Sequence, residues 1–203
     1  MIPIIILAAG MSTRYNGNKL LEDLCGKKLI QRVVETTLES KADEVIVVTG
    51  FEAEKIEQAL RDYDVKTVFN ENYAKGMSTS VKKGVGAIKD YAEAVLIHPA
   101  DVALISKEDI NAVIDKYREK HALIVVTSYM GRHGHPILFD RTLFNEILQI
   151  REETLGLKAV KWKYKDKIVT VERGLQVLYD IDETYDMIKA KRMLCKRKLR
   201  VLT

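Results

Sequence analysis

Residues 1–19 read MIPIIILAAGMSTRYNGNK and divide into a strand and the loop that follows it. The run 2–7 is apolar, rich in isoleucine and too short to cross a membrane, which is typical of a strand covered on both faces. Residues 8–19 combine small residues and hydroxyls with two cations, Arg14 and Lys19. Such a loop favours a polyphosphate, because its backbone N–H groups can approach the ligand closely. We predict a nucleoside triphosphate here, although an ordinary strand-to-helix turn has the same pattern.

Strand and helix patterns alternate through the first 127 residues, with further buried strands predicted at 44–49, 65–69, 94–97 and 122–127. This alternation indicates an α/β fold with a mostly parallel sheet. Beyond residue 128 we predict a basic turn at 131–136, a short strand at 137–139 and a helix at 142–150. Residues 158–164 and 168–171 alternate in hydrophobicity, which predicts short antiparallel strands, although residues 158–160 fit a helix equally well.

The length of 203 residues and the hydrophobic content of 47% are those of one globular domain, or of one domain with a small appendage. The N-terminal apolar run lacks the flanks of a signal peptide, so we expect a cytoplasmic protein with no membrane partner. Cys25 and Cys195 have no metal-binding or redox spacing and are predicted to be free thiols.

The net charge of +4 is unevenly distributed, because basic residues crowd near the C terminus. These residues are Lys189, Lys191, Arg192, Lys196, Arg197, Lys198 and Arg200. The cluster lacks interleaved aromatic residues, so we interpret it as a solvated terminal helix, and nucleic acid is not an expected partner.

Three loops that follow predicted strands should meet at one edge of the sheet, where α/β proteins place their chemistry. The second of these loops contains Ser78 and Ser80 at a helix start, which suits a base or ribose. The third contains Asp101, a hard oxygen ligand for the Mg²⁺ that accompanies a triphosphate, and Asp182 is a second candidate. An Asx turn or a helix cap would explain a lone Asp equally well. For His98 we favour a packing role over that of a general base.

A basic turn near residue 133 offers a place for a second anion, although such a turn by itself is more often a surface loop than a site. Arg132, His133 and His135 supply its positive charge and imidazole groups.

Several motifs together carry a family resemblance. The stretch Leu7-Ala-Ala-Gly10-Met-Ser12-Thr-Arg14, followed by Lys19, resembles the signature of nucleotidyltransferases similar to molybdenum cofactor cytidylyltransferase. The wider superfamily also includes sugar-phosphate and isoprenoid-precursor nucleotidyltransferases. The match continues at Asn70, Gly76-Met77-Ser78-Thr79-Ser80, Asp101, Gly134-His135-Pro136 and Asp180-Ile-Asp182.

The resemblance implies a Rossmann-like three-layer αβα sandwich with a mixed, mostly parallel sheet, of the nucleotide-diphospho-sugar transferase type. It implies one domain over 1–203, with a nucleotide-binding half at 1–128, an acceptor-binding half at 129–182 and a basic helix at 183–203. The implied activity is transfer of a nucleoside monophosphate from an NTP to a phosphorylated acceptor, with Mg²⁺ or Mn²⁺ as cofactor. The Ala8-Ala9-Gly10 sequence implies CTP rather than GTP.

The resemblance also implies roles for individual residues. The catalytic residues are Arg14, Lys19 and Asp101, and the metal ligands are Asp101 and Asp182. The nucleotide-binding residues are Leu7, Ala8, Ala9, Gly10, Ser12, Arg14, Lys19, Gly50, Asn70, Gly76 and Ser78. The acceptor-binding residues are Arg132, His133, Gly134 and His135.

The chain departs from the family after residue 150, and this leaves the acceptor open. Residues 152–158 read EETLGLK, where the family has Gly-Asp-x-Gly-Ala-Arg. Molybdopterin is the expected acceptor, with a molybdoenzyme or accessory protein as a candidate partner. The alternatives are a sugar-phosphate or isoprenoid-phosphate acceptor, or a non-catalytic nucleotide-binding accessory protein.

Overall fold

The computed structural model describes residues 1–15 and 17–200, without the side chains of residues 196–200. In chain order its strands and α-helices are β1 (Ile4–Ala8), α1 (Leu29–Leu38), β2 (Val45–Thr49), α2 (Ala53–Leu60), β3 (Lys66–Phe69), α3 (Met77–Ile88), β4 (Ala94–Pro99), α4 (Lys107–Lys120), β5 (Ile124–Tyr129), β6 (Arg132–Asp140), α5 (Phe144–Ile147), α6 (Leu157–Lys163), β7 (Ile168–Glu172) and α7 (Thr184–Arg200). One seven-stranded sheet has the order β3-β2-β1-β4-β6-β5-β7. Only β6 runs against its neighbours, so the predicted mixed, mostly parallel sheet is confirmed.

Strand β1 lies inside the sheet, between β2 and β4. Its alternating side chains enter opposite helical layers, so that Ile4 and Ile6 join one apolar cluster and Ile5 joins the other. All three side chains are fully buried, and each burial stabilises the fold by roughly 1.5–3 kcal/mol. This two-sided burial explains the unbroken apolar run at the N terminus.

Helices cover both faces of the sheet. One apolar cluster joins the sheet to α1, α2, α4 and α7, and the other joins it to α3, α5 and α6. The three-layer αβα sandwich is therefore confirmed. The carboxyl ends of β1, β2, β3 and β4 all point to one edge of the sheet, and the chain between these strands crosses over through helices.

Three predicted features are wrong, and the first is the direction of the strand at 168–171, because β7 pairs in parallel with β5. The segment predicted as a basic turn is mostly strand, because β6 begins at Arg132 and pairs with both β4 and β5. The turn is confined to Met130 and Gly131, whose positive φ angles of 49° and 75° suit a two-residue hairpin. Residues 158–164, predicted as a strand, belong mainly to α6, because Leu157, Val160 and Tyr164 meet the core at helical spacing.

The predicted C-terminal helix is α7, which the structure describes as far as Arg200. Residues 201–203 and the side chains of Lys196, Arg197, Lys198 and Arg200 lie outside the described part of the chain. Across the described residues, the structure contains no helix with the length and apolar content needed to traverse a bilayer.

The prediction of free thiols is also wrong, because Cys25 and Cys195 form a disulfide. Cys25 lies in the loop before α1, Cys195 lies on α7, and their Cα atoms are 5.9 Å apart. The two residues are separated by 170 positions in sequence, so local spacing could not reveal the pair. The bond ties α7, which follows Asp182, to the segment that follows Lys19.

Reduction of this disulfide should lower the free energy of unfolding by about 2–4 kcal/mol, because a cross-link that closes a long loop restricts the unfolded chain. Urea unfolding with and without a dithiol reductant measures the loss. Cys195→Ser should show the same loss and no further response to reductant. Two titratable thiols in the folded, unreduced protein would contradict the assignment.

Candidate active site

The loop after β1 and the residues after β4 meet because these two strands are adjacent and parallel. Leu7 pairs with Pro99 in the register of the sheet, and the Ala100 N–H donates to the Leu7 carbonyl at 3.1 Å. Asp101 therefore lies beside the loop that contains Gly10. The chain returns to the same place before α7, where the Ile181 N–H donates to the Asp101 carbonyl at 3.1 Å.

Four charged side chains, two cations and two carboxylates, meet at this point. Lys19 Nζ donates to Asp101 Oδ2 at 2.8 Å and to Asp182 Oδ1 at 3.1 Å. Arg14 Nη2 lies 2.8 Å from Asp182 Oδ2. The Lys19 side chain is only 11% exposed, whereas that of Arg14 is 66% exposed. Lys19 is thus fixed between the carboxylates, and Arg14 can move toward a ligand.

A cavity of about 190 Å³ opens over these groups. It is lined by Leu7, Gly10, Ser12, Thr13, Arg14, Lys19, Leu20, Asp101 and Asp182. A neighbouring cavity of about 150 Å³ is lined by Leu7, Ala9, Gly10, Tyr73, Met77, Ser80, Pro99 and Asp101. The shared residues make the two cavities one groove along the carboxyl edge of the sheet. Ser12 Oγ is buried there and has no hydrogen-bond partner within the described residues.

The other predicted nucleotide-binding residues line neither cavity, and three of them support the wall of the groove instead. Ala8 is buried inside the sheet. A Cβ atom at Gly50 would lie 2.6 Å from Tyr73 Cβ and 2.7 Å from Ala9 Cβ, so this glycine lets both residues pack against the end of β2. Asn70 Nδ2 donates to Thr79 Oγ1 at 2.8 Å and to Ser80 Oγ at 2.9 Å. Sequence reasoning gave Tyr73 and Met77 no role in the site, because apolar and aromatic side chains carry no local functional signal.

Gly76 and Ser78 contact the segment before α6 rather than the groove. Glu152 Oε2 accepts from the Ser78 N–H at 2.9 Å and from Ser78 Oγ at 2.6 Å. A Cβ atom at Gly76, whose φ is +108°, would lie 2.6 Å from the Glu152 carboxyl carbon. A carboxylate thus caps the start of α3, at the place where Ser78 was predicted to face a base or ribose.

The two carboxylates around Lys19 fit the chemistry of a divalent metal site. Asp101 and Asp182 converge on one point, and their oxygens are the hard ligands that Mg²⁺ and Mn²⁺ prefer. Across residues 1–15 and 17–200, no group of three or more His, Cys, Asp or Glu residues could hold a metal. A metal here would therefore need phosphate and water oxygens as further ligands. Sequence reasoning gave Asp180 no role, yet burial and the charges of Asp101 and Asp182 raise its pKa to about 6.

The predicted acceptor-binding residues lie at the start of β6. Arg132 and His133 are exposed, whereas Gly134 is buried and packs against the chain at Val177, whose carbonyl oxygen would lie 2.4 Å from an added Cβ. The His135 ring lies 6.5 Å from that of His98, with the two rings edge to face.

His98 is buried three residues before Asp101. Its Nε2 atom lies 3.1 Å from the Val102 carbonyl oxygen, so the ring is held by a backbone acceptor. Burial lowers the pKa of His98 to about 3. Its imidazole is therefore neutral near pH 7, which fits a packing role.

Comparisons with known proteins identify relatives of this architecture. The curated bifunctional protein GlmU of Thermus thermophilus is 28% identical over 154 residues, which cover 75% of this chain and 32% of that protein. The chain thus spans about a third of the length of the curated relatives it matches.

Three solved structures share the fold over nearly their whole length. A nucleotidyl transferase from Methanothermobacter thermautotroptrophicus superposes with a TM-score of 0.84 at 22% identity and covers 97% of this chain and 99% of its own. Rv0371C of Mycobacterium tuberculosis, solved in complex with manganese, superposes with a TM-score of 0.76 at 20% identity and covers 95% of this chain and 99% of its own. CMP:2-keto-3-deoxy-manno-octonic acid synthetase complexed with CTP superposes with a TM-score of 0.79 at 17% identity and covers 97% of this chain and 99% of its own. At these identities the likeness shows the fold, of the nucleotide-diphospho-sugar transferase type.

A family match extends over most of the chain. The model of the MobA-like NTP transferase domain matches residues 4–167, from the first residue of β1 to just before β7. Arg14, Lys19 and Asp101 lie within the matched part, and Asp182 lies beyond it. The chain therefore belongs to the MobA-like NTP transferase domain family.

Proposed function

We propose that this protein transfers a nucleoside monophosphate from an NTP to a phosphorylated small-molecule acceptor and releases pyrophosphate. The observation that carries the proposal is the position of Lys19, buried between Asp101 and Asp182 in a cavity that the Gly10–Arg14 loop also lines. This arrangement supplies cations for a triphosphate and carboxylates for the metal that accompanies it.

In the proposed reaction, an oxygen of the acceptor phosphate forms a bond to the α-phosphorus of the NTP. The bond from the α-phosphorus to its bridging oxygen breaks, and pyrophosphate leaves with the electron pair. Arg14 and Lys19 neutralise the anionic reactants and the leaving pyrophosphate, while Gly10 and Ser12 orient the phosphates. A bound Mg²⁺ or Mn²⁺, held by Asp101 and Asp182, would supply further charge neutralisation. The attacking phosphate is already ionised, so the reaction needs no general base.

For the substrates we propose CTP as the nucleotide and molybdopterin as the acceptor. The Ala8-Ala9-Gly10 sequence supports CTP, and so does the structural neighbour that was solved with CTP. A sugar-phosphate or isoprenoid-phosphate acceptor is equally plausible. GlmU proteins are among the curated relatives, and 4-diphosphocytidyl-2C-methyl-D-erythritol synthase is among the structural neighbours.

A substrate panel tests the proposal. The purified chain is incubated with each of the four NTPs, Mg²⁺ or Mn²⁺, and molybdopterin, a sugar phosphate or an isoprenoid-precursor phosphate. Pyrophosphate release is measured and the product is identified by mass spectrometry. A cytidylylated acceptor is the expected product, and its mass identifies the acceptor. Tight NTP binding without product from any acceptor would instead indicate a non-catalytic accessory protein.

A further inference from the structure

The first turn of helix α7 is bonded to the segment that contains Asp182. Asp186 Oδ2 accepts a hydrogen bond from the Asp182 N–H at 3.1 Å and another from the Glu183 N–H at 3.0 Å. An acidic residue at this position of a helix ordinarily caps only the residue just before the helix, which here is Glu183. The Tyr179 hydroxyl also donates to the Asp186 carbonyl oxygen at 3.1 Å. Asp186 thus binds this segment through both its side chain and its backbone.

Helix α7 is itself fixed against the sheet. Met187 and Ala190 are buried in the same apolar cluster as Ile181, the residue before Asp182. Asp186 directly precedes Met187, so its carboxylate belongs to a part of the helix that close packing holds in place. The backbone of Asp182 is therefore fixed relative to the core of the protein, and with it the direction in which its side chain leaves the chain.

The side chain of Asp182 has contacts of its own, and these are with the two cations of the groove. Arg14 Nη2 lies 2.8 Å from Asp182 Oδ2, and Lys19 Nζ lies 3.1 Å from Asp182 Oδ1. A bound triphosphate would attract both cations, and a divalent metal would compete with them for the same carboxylate oxygens. The contact with Asp186 is made by the backbone of Asp182, so neither a phosphate nor a metal competes for it. It is therefore a contact that can persist throughout substrate binding.

We propose that Asp186 is a positioning residue, which keeps Asp182 directed toward the divalent metal when Arg14 and Lys19 turn to the phosphates. The inference rests on the proposed function, which makes Asp182 a metal ligand. Asp186 lines neither cavity of the groove, so its effect on the metal is exerted through Asp182. Loss of a residue that orients a metal ligand typically weakens metal binding by about 10–100-fold.

Two substitutions at Asp186 separate its hydrogen bonds from its charge. Asp186→Ala removes the acceptor, whereas Asp186→Asn keeps an oxygen in nearly the same place. The matched control is Ala190→Gly, which weakens the same helix at a buried position one turn further on. Both Asp186→Ala and Ala190→Gly should lower the melting temperature by a few degrees, because each destabilises α7. A difference between these two variants in metal binding then reports the position of Asp182.

Mn²⁺ is titrated into each protein by calorimetry without NTP, and hydrogen exchange of the Asp182 N–H is followed by NMR. We expect Mn²⁺ to bind at least about tenfold more weakly to Asp186→Ala, and with nearly unchanged affinity to Asp186→Asn and Ala190→Gly. The Asp182 N–H should exchange faster in Asp186→Ala alone. With an active acceptor, the Mn²⁺ concentration that gives the half-maximal rate should rise in Asp186→Ala. The rate at saturating Mn²⁺ should stay close to that of the unchanged chain.

Equal Mn²⁺ affinity in Asp186→Ala and the unchanged chain would overturn the inference. An equal loss of affinity in Ala190→Gly would also overturn it, because the effect would then come from the stability of α7. An equal loss in Asp186→Asn would assign the effect to charge instead of hydrogen bonding, and the inference also falls if the unchanged chain binds no Mn²⁺. A chain that binds Mn²⁺ in this Asp186-dependent way but transfers no nucleotide would overturn the proposed function alone.

Discussion

Asp101→Asn should fold normally and release pyrophosphate more slowly than the unchanged chain by about 10³-fold or more. Asparagine preserves the shape of the side chain and still accepts a hydrogen bond from Lys19, so the local structure should survive. It removes one of the two negative charges that converge on Lys19 Nζ, and with it a hard ligand for the divalent metal. Pyrophosphate release and thermal unfolding, measured on the same preparation, check both halves of this expectation.

The matched control for this variant is Asp90→Asn. Asp90 is an exposed carboxylate just beyond the end of α3 and lines neither cavity of the groove. The Asp90→Asn variant should retain the full turnover and the melting temperature of the unchanged chain. Near-normal turnover of Asp101→Asn, with the control intact, would remove Asp101 from the catalytic machinery. It would also leave Asp182 as the only carboxylate of the proposed metal site.

The parts of the fold that the sequence predicts well are those with a purely local cause. Strands β1, β2 and β4 are buried on both faces, so each appears as a short apolar run whatever surrounds it. Alternation of such runs with amphipathic helices then implies a parallel sheet. Because parallel strands end at a common edge, the proximity of the Gly10 loop to Asp101 also follows from sequence.

Local sequence patterns do not predict the elements whose conformation depends on their packing partners. Residues 158–164 alternate like a strand, yet contacts with α5 and the core favour the helical spacing of Leu157, Val160 and Tyr164. Strand β6 contains Pro136, which cannot donate to the sheet and so argues against a central strand. The register of β5 shifts between Val126 and Ser128, opposite this part of β6, and the irregularity accommodates the proline.

The sequence also does not predict which distant residues pair within the site. Lys19 and Asp182 are separated by 163 positions, and neither neighbourhood signals the other. The motif resemblance placed both residues in one family pattern, but it did not indicate that Lys19 bridges the two carboxylates.

Lys19→Met should have two linked effects that follow from the position of the ammonium between two carboxylates. Turnover should fall by about 10²-fold, because a buried cation that neutralises the triphosphate is lost. Without metal, the variant should be less stable by about 2 kcal/mol, because Asp101 and Asp182 lose the cation between them and Arg14 remains paired with Asp182 alone. Methionine fills nearly the same space, so the loss reflects charge rather than a cavity.

A divalent metal should reverse the stability defect of this variant. Lys19 Nζ occupies the point on which Asp101 and Asp182 converge, so in the unchanged chain a metal and the ammonium compete for the same oxygens. Removing the competitor strengthens metal binding, and binding to the folded state alone raises the melting temperature. Titration with Mn²⁺ should therefore raise the melting temperature more for Lys19→Met than for the unchanged chain or for Lys27→Met, an exposed lysine of the following loop. If Mn²⁺ raises the melting temperature of all three proteins equally, the metal binds elsewhere. A larger rise for Lys19→Met alone would show that the Lys19 ammonium holds the two carboxylates together until substrate and metal bind.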